Sequence, residues 1–318
     1  MAKSRQPRAK SSRMRTTRRR SVASPSADRG NGRRRLPVNK TYKIYIGGKF
    51  PRTESGHYYE LKSSEGTTLA NVCRCTKKDL RDAVQAARAA QPAWAAATAF
   101  NRGQILYRVA EMLEGRKPQF ADELQWIGHT RQASINEVEL AIDRCVYYAG
   151  WADKYQQVFS SVNPVASAHF NFSIYEPTGV VGIVAPEDSA LLGLVSSLVP
   201  AIVGGNTALV IAAAERPLCA VTFAEVLHAS DVPGGVVNVL TAPAGELLPH
   251  LAGHMDVNAV VYCGDAASDI RDLQACAAGN VKRAILRGGS DWSSETAQGP
   301  YEILETQEVK TTWHPIGT

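Results

Sequence analysis

Few residues in this chain are equipped for covalent chemistry. Six cysteines, Cys73, Cys75, Cys145, Cys219, Cys263 and Cys276, are spread along 318 residues. None forms a Cys-x-x-Cys pair, so a zinc site has no nucleus and no metal is expected. Cys73 and Cys75 share the spacing that puts both on one face of a strand, and they fit small packed thiols better than ligands. Such sparse use suits a reducing cytoplasm. Cys263 closes a short apolar run, a good place for chemistry. Yet no histidine is near in sequence, and Asp265 is expected to raise its thiol pKa, so it reads as a packing cysteine. Asp188 reads as a solvated loop acid or as the N-cap of a helix starting near Ala190. Asp265 and Asp269 suit the positive end of a helix.

The elements that would carry these residues follow from periodicity. Tyr42–Ile46 alternates and runs into Gly47-Gly48, a hairpin signal. His57–Leu61 and Leu69–Cys75 continue as short strands. Thr76 with Asp79 three residues on approximates a capping box, and Leu80, Val84, Ala87 and Trp94 give the helix that follows an apolar face. Further helices are expected over Arg102–Leu113 and Ile135–Tyr155. From residue 176 the pattern changes. Val180–Val184 is a continuous apolar run, as buried parallel strands are. Strands then alternate with helices: helix Ala190–Val203, strand Leu209–Ile211, helix Pro217–Ala229, strand Val236–Leu240, helix Glu246–Ala252, strand Ala259–Tyr262, helix Ala266–Ala277 and strand Arg283–Leu286. This predicts an α/β fold, a Rossmann-like parallel sheet with helices on both faces. Ligands in such sheets bind beyond the carboxyl ends of the strands.

Several strings then converge. Tyr147-Tyr148-Ala149-Gly150-Trp151-Ala152-Asp153-Lys154 is one. Glu176-Pro177-Thr178-Gly179-Val180-Val181-Gly182-Ile183-Val184-Ala185-Pro186 is the longest. Gly204-Gly205-Asn206-Thr207 and Val232-Pro233-Gly234-Gly235-Val236-Val237-Asn238-Val239-Leu240 follow, and Ile46-Gly47-Gly48-Lys49-Phe50 and Pro92-Ala93-Trp94 precede them. Six strings in order, spanning residues 42 to about 290, resemble the aldehyde dehydrogenase superfamily. The resemblance implies its nicotinamide-cofactor domain.

It also implies what the chemistry would need. Oxidising an aldehyde through a thioester requires a nucleophilic cysteine, an oxyanion donor and a general base. Where the family carries Pro-Trp-Asn, with the Asn amide as oxyanion donor, this sequence has Pro186-Glu187-Asp188. An ionised carboxylate cannot donate and repels an oxyanion. Where the family's Lys-Pro-x-Glu holds the adenosine ribose, Ile211-Ala212-Ala213-Ala214 stands here, with Glu215 one residue late and Arg216 ill-suited to accepting hydroxyls. Where a Gly-Ser-x-x-x-Gly turn cradles pyrophosphate, this chain has Gly264-Asp265-Ala266-Ala267-Ser268-Asp269. Only the first glycine matches, and two acids oppose a diphosphate. Where the base precedes Gly-Gly, Leu286 stands before Arg287-Gly288-Gly289. The 32 residues after Leu286 contain no cysteine and are fewer than a second domain needs. The expectation is a member of the family without its catalytic lobe, with no catalytic residue and with NAD binding lost.

The remaining segments flank that domain. Ser290–Tyr301 reads as a linker. Glu305–Ile316 alternates as a strand and resembles the family's oligomerisation strand. Residues 159–175 would be its companion hairpin, with Phe170, Phe172 and Ile174 in period two. Together they predict a partly apolar ribbon with open edges, which seeks a partner strand. Self-association or pairing with a full-length aldehyde dehydrogenase is expected through residues 159–175 and 305–316. Of the 36 bases and 30 acids, 13 bases and one acid, Asp28, lie in the first 35 residues, leaving 23 bases and 29 acids in the body. That leading segment is rich in Arg, Ser, Pro and Gly and is expected to be disordered. It is compatible with polyanion binding, with an organellar transit peptide, or with a start further along, Met14 being one candidate. No run of about 18 apolar residues exists, so no membrane span is expected. The expected organisation is a basic tail over 1–38, a cofactor-type domain over 39–292, and a linker with the oligomerisation strand over 293–318.

Overall fold

A computed structural model of the protein describes residues 38–63 and 66–317. The expectations for the basic tail up to residue 37 therefore lie outside the described residues. The described residues from 39 to 317 belong to one compact unit.

Three sheets and ten α-helices organise the described residues. A small sheet of order β1-β3-β2 comes first, from β1 (Thr41–Tyr42), β2 (Tyr58–Lys62) and β3 (Thr68–Cys73). The expected Tyr42–Ile46 strand is thus much shorter, and it pairs parallel to β3 rather than forming a hairpin. Only an isolated Ile46↔Lys49 bridge closes the Gly47-Gly48 turn. Tyr45 instead bridges to Val239, so this stretch is recruited by the central sheet. Helix α1 (Lys77–Ala96) begins with a complete capping box: the Thr76 side chain accepts from Lys78 N, and Asp79 accepts from Thr76 N at 2.8 Å. Helices α2 (Ala99–Gly115), α3 (Lys117–Trp126), α4 (Arg131–Trp151) and α5 (Tyr155–Phe159) follow. The sequence reading missed α3, and it merged α4 with α5. The α4 helix starts earlier because Thr130 caps it, accepting from Ala133 N at 3.2 Å.

The ribbon strands β4 (Ser161–Asn163) and β5 (His169–Pro177) lead into the central sheet. There β6 (Val180–Val184), α6 (Leu192–Val203), β7 (Thr207–Ala212), α7 (Leu218–His228), β8 (Val237–Thr241), α8 (Ala244–Gly253), β9 (Ala259–Tyr262), α9 (Ala267–Ala278) and β10 (Arg283–Leu286) alternate. All pairings are parallel, in the order β10-β9-β6-β7-β8. Every residue of β6, β7, β8 and β9 is buried, which explains their unbroken apolar runs: both faces are covered by helices. From β6 the order runs outward through β7 and β8 on one side and through β9 and β10 on the other, which puts the switch point between β6 and β9; in sheets of this type ligands bind beyond the carboxyl ends of the strands at such a point.

The predicted linker is structured. It carries a 3₁₀ turn (Glu295–Ala297) and helix α10 (Tyr301–Leu304), and Trp292 within it is only 6% exposed. Strand β11 (Gln307–Pro315) then pairs antiparallel with β5 over nine residues, from Gln307↔Pro177 to Pro315↔His169. The resulting sheet has the order β11-β5-β4, so β11 and β4 are its edges. The hairpin expected over 159–175 lies slightly later, because Phe159 ends α5 and β5 runs on to Pro177.

Candidate functional site

The register of the central sheet aligns Val184, Ile211, Tyr262 and Leu286 in one row at its carboxyl rim. The turns beyond that row hold the residues singled out from the sequence. Pro186 and Asp188 follow β6, Ala214 follows β7, and Gly264, Asp265 and Asp269 lie between β9 and the first turn of α9. Leu286 ends β10 and is 42% exposed. Ile211 differs: it is fully buried within its strand and offers nothing to the surface.

The loops after β6 and β7 are bound to each other. Glu187 Oε1 accepts from Ala214 N at 2.8 Å, and its Oε2 lies 3.4 Å from Glu215 N. Ala214 O accepts from Tyr59 OH at 3.0 Å, so both backbone groups of Ala214 are engaged by the chain itself. Arg216 Nη1 donates to Asp188 O at 3.1 Å. Burial, with the Glu187 charge adding to it, raises the Tyr59 phenol, which keeps it a neutral donor. The Asp188 side chain is exposed. It does not cap α6, because Glu137 of α4 occupies that helix end. Glu137 Oε1 accepts from Ser189 Oγ at 3.1 Å, Leu191 N at 3.1 Å and Leu192 N at 3.2 Å. Ser189 Oγ in turn accepts from Gly193 N at 2.9 Å. A carboxylate placed on these amides is favoured by the helix dipole and satisfies donors that would otherwise be orphaned.

Trp292 covers the same helix end. It packs beside Gly193, against which Pro186 and Ser189 also lie, and a Cβ on Gly193 would meet the indole at 3.2 Å. Arg144, buried on α4, donates to Trp292 O at 3.0 Å and also to Ala297 O. A cavity of about 360 Å³ remains beside the indole, bordered by Glu137, Asp188 and Asp291. Across the rim, Tyr262 OH donates to Asp269 Oδ2 at 3.0 Å, and Asp265 folds its carboxylate against Gly288. The first turn of α9 has no side-chain cap. Arg287 donates to Glu305 Oε2 at 2.5 Å, tying the end of β10 to α10.

Cys263 is buried 3.3 Å from Ser197 Oγ. Burial pushes its thiol up to about 11, with Asp188 adding to the rise. The upward direction matches the sequence reading, but the cause does not: desolvation dominates, and the contributing acid is Asp188, not Asp265. Cys73 and Cys75 are both buried. Among the described residues, no group of three or more His, Cys, Asp or Glu is arranged to hold a metal ion, and no helix is long and apolar enough to cross a membrane. The sequence reading missed Glu137, Trp292 and Arg144. The signals were present but weak: a lone tryptophan in a Gly- and Ser-rich segment, and an arginine on an otherwise apolar helix face.

Comparison with known proteins sets this rim in context. The sequence model of the aldehyde dehydrogenase family matches residues 51–293. DhaS of Bacillus subtilis (strain 168) is 29% identical over 255 residues, covering 78% of this chain and 50% of DhaS. The cytosolic 10-formyltetrahydrofolate dehydrogenase of Homo sapiens is 30% identical over 261 residues, covering 79% of this chain and 29% of that protein. Among solved structures, PnpE from Pseudomonas sp. WBC-3 superposes with a TM-score of 0.75 at 28% identity, covering 80% of this chain and 51% of PnpE. The NAD+ complex of the Bacillus cereus aldehyde dehydrogenase superposes with a TM-score of 0.75 at 25% identity, covering 79% and 51%. The chain thus spans about half the length, or less, of the relatives it matches.

Proposed function

With membership of the aldehyde dehydrogenase family as the premise, we propose that this chain acts as a non-catalytic subunit, one that assembles with itself or with an active aldehyde dehydrogenase. The observation that carries the reading is the occupation of the rim by the protein's own groups. A bound dinucleotide would need polar side chains at the end of β7. The chain offers Ile211 to Ala214 there, and Glu187 already takes the Ala214 and Glu215 amides. A diphosphate at α9 would meet Asp265 and Asp269, each costing on the order of 1 kcal/mol per nearby phosphate charge. The residues present therefore do not fit NAD. The position matching the family's base is a leucine, which accepts no proton, and Asp188 cannot serve as an oxyanion donor.

Assembly is supported by the β11-β5-β4 ribbon. Val162, Phe170, Val309 and Trp313 are exposed on it, and a cavity of about 310 Å³ lies among Val162, Phe170, Phe172 and Ile174. An exposed apolar ribbon with free edges favours strand addition. The six free cysteines support a cytoplasmic setting. A second reading, an NAD(P)-dependent aldehyde oxidoreductase, is favoured by the family itself and by the uncapped first turn of α9. Fluorescence titration with NADH separates the two: saturable binding in the micromolar range supports the oxidoreductase and ends the non-catalytic reading. Native mass spectrometry tests assembly, and a protein that stays monomeric alone and beside a full-length family member removes that part.

A further inference from the structure

One polar cluster is used by nothing described so far. Glu123 of α3 is 1% exposed. Its Oε1 accepts from Thr222 Oγ1 at 2.7 Å, from Tyr42 OH at 3.1 Å and from Gln119 Nε2 at 3.5 Å. Its Oε2 is buried and has no hydrogen-bond partner. The charged and titratable groups around it come from every packed element. Near β1 stand Tyr42 and Lys40, whose ammonium lies 4.1 Å over the Tyr42 ring. From α7 come Glu225 and the buried Cys219 thiol. At the junction of α2 and α3 stands Arg116. Both cations are held by Glu225, Lys40 at 3.6 Å and Arg116 at 2.5 Å, so neither is hydrogen-bonded to Glu123. An ionised carboxylate here would be desolvated with no cation hydrogen-bonded to it, a costly state that protonation relieves.

The same carboxyl holds a weak element. Strand β1 has two residues and pairs only through Thr41↔Asn71 and Tyr42↔Val72, with Asn71 N donating to Lys40 O at 2.9 Å. The Tyr42 ring is also packed with Leu61, Val72, Leu218 and Val221, its hydroxyl donates to Glu123, Lys40 pairs with Glu225, and three residues on Tyr45 exchanges two backbone hydrogen bonds with Val239. We propose that Glu123 is a proton-linked latch: the neutral carboxyl holds β1 against β3, and loss of its proton to solvent releases the strand so that water reaches the charge.

The sign follows from linkage. Burial holds the Glu123 carboxyl above its ordinary value, and its hydrogen bonds to Thr222 and Tyr42 offset this only in part. Tyr42 and Cys219 are themselves raised by burial, so neither ionises first. The latched form binds more protons than the released form. Its advantage is therefore complete at low pH and is lost as pH rises through the raised value.

The test follows two signals in the full-length protein between about pH 5 and pH 8. One is the carboxyl carbon shift of Glu123. The other is hydrogen exchange at the Asn71 amide, corrected for the intrinsic rate, with the Ala185 amide of the central sheet as control. Between the ordinary carboxylate value of 4.5 and the Glu123 midpoint, Asn71 protection should fall on the order of tenfold per pH unit and level off above it, while Ala185 holds. Glu123→Gln should keep Asn71 protection flat. An equal fall in that variant, or a Glu123 midpoint at the ordinary 4.5, overturns the proposal. If the variant fails to fold, the wild-type signals decide alone: a fall that levels off at the carboxyl midpoint supports the latch and one that does not excludes it.

Discussion

Among the described residues no carboxylate forms an ion pair with Arg144, yet it is one of the most buried charges among them, and it spends its donors on two carbonyls of the segment carrying Trp292. Burying a guanidinium this way is tolerable only while both acceptors stay in place. Arg144→Met should therefore cost about 1–3 kcal/mol through the unpaired carbonyls, and Trp292→Ala about 3–5 kcal/mol through the cavity left against Gly193. Urea unfolding of each variant measures both, and a loss below about 0.5 kcal/mol, as surface substitutions give, would show that this segment is not part of the core. Lys282 supplies a pH signature. Burial lowers it from 10.5 to about 8, and its ammonium donates to His254 O at 2.7 Å. Between these two values the unfolded chain binds more protons than the folded one. Stability should thus rise with pH across that window, and Lys282→Met should flatten the rise in thermal midpoints.

At the scale of elements, caps and periodicity divide the work unevenly. The Thr76 and Asp79 spacing was legible because a capping box is local: both partners lie within four residues. Thr76→Ala should cost about 1 kcal/mol, read by chemical denaturation, and a neutral result would mean that α1 is held by its apolar face alone. The α3 helix was not legible, because its few buried side chains, Phe120, Ala121, Glu123 and Leu124, include an acid that breaks the apolar pattern. Glu123 is acceptable there only because Thr222 and Tyr42, some 80 to 100 residues away in sequence, supply donors. The pairing of β5 with β11 was visible as two alternating segments, but the register, from Gln307↔Pro177 to Pro315↔His169, depends on backbone complementarity between segments distant in sequence and could not be read from either strand.

For the molecule as a whole, the separation of charge stands out. The first 35 residues carry 13 bases and one acid, while the rest carries 23 bases and 29 acids. Opposite signs on one chain imply opposite behaviour on an ion exchanger. Deleting residues 1–37 should abolish retention on a nucleic-acid or heparin column at low salt. The full chain should elute progressively earlier as salt rises. Unchanged retention after the deletion would move any polyanion binding onto the folded unit.

The sequence by itself determined the parallel α/β scaffold, because a sheet covered on both faces needs uninterrupted apolar strands and that pattern is written locally. It also determined which residue types stand at the rim, since Ile211, Ala214, Asp265, Asp269 and Leu286 are fixed by position along each strand and turn. Only the tertiary structure decided what fills that rim. Glu187 meets Ala214, Glu137 meets the first turn of α6 and Arg144 meets Trp292 across 27, 54 and 148 residues. The reason is physical: a hydrogen bond between distant segments depends on how the chain closes on itself, and neither partner carries a mark of the other in its own neighbourhood.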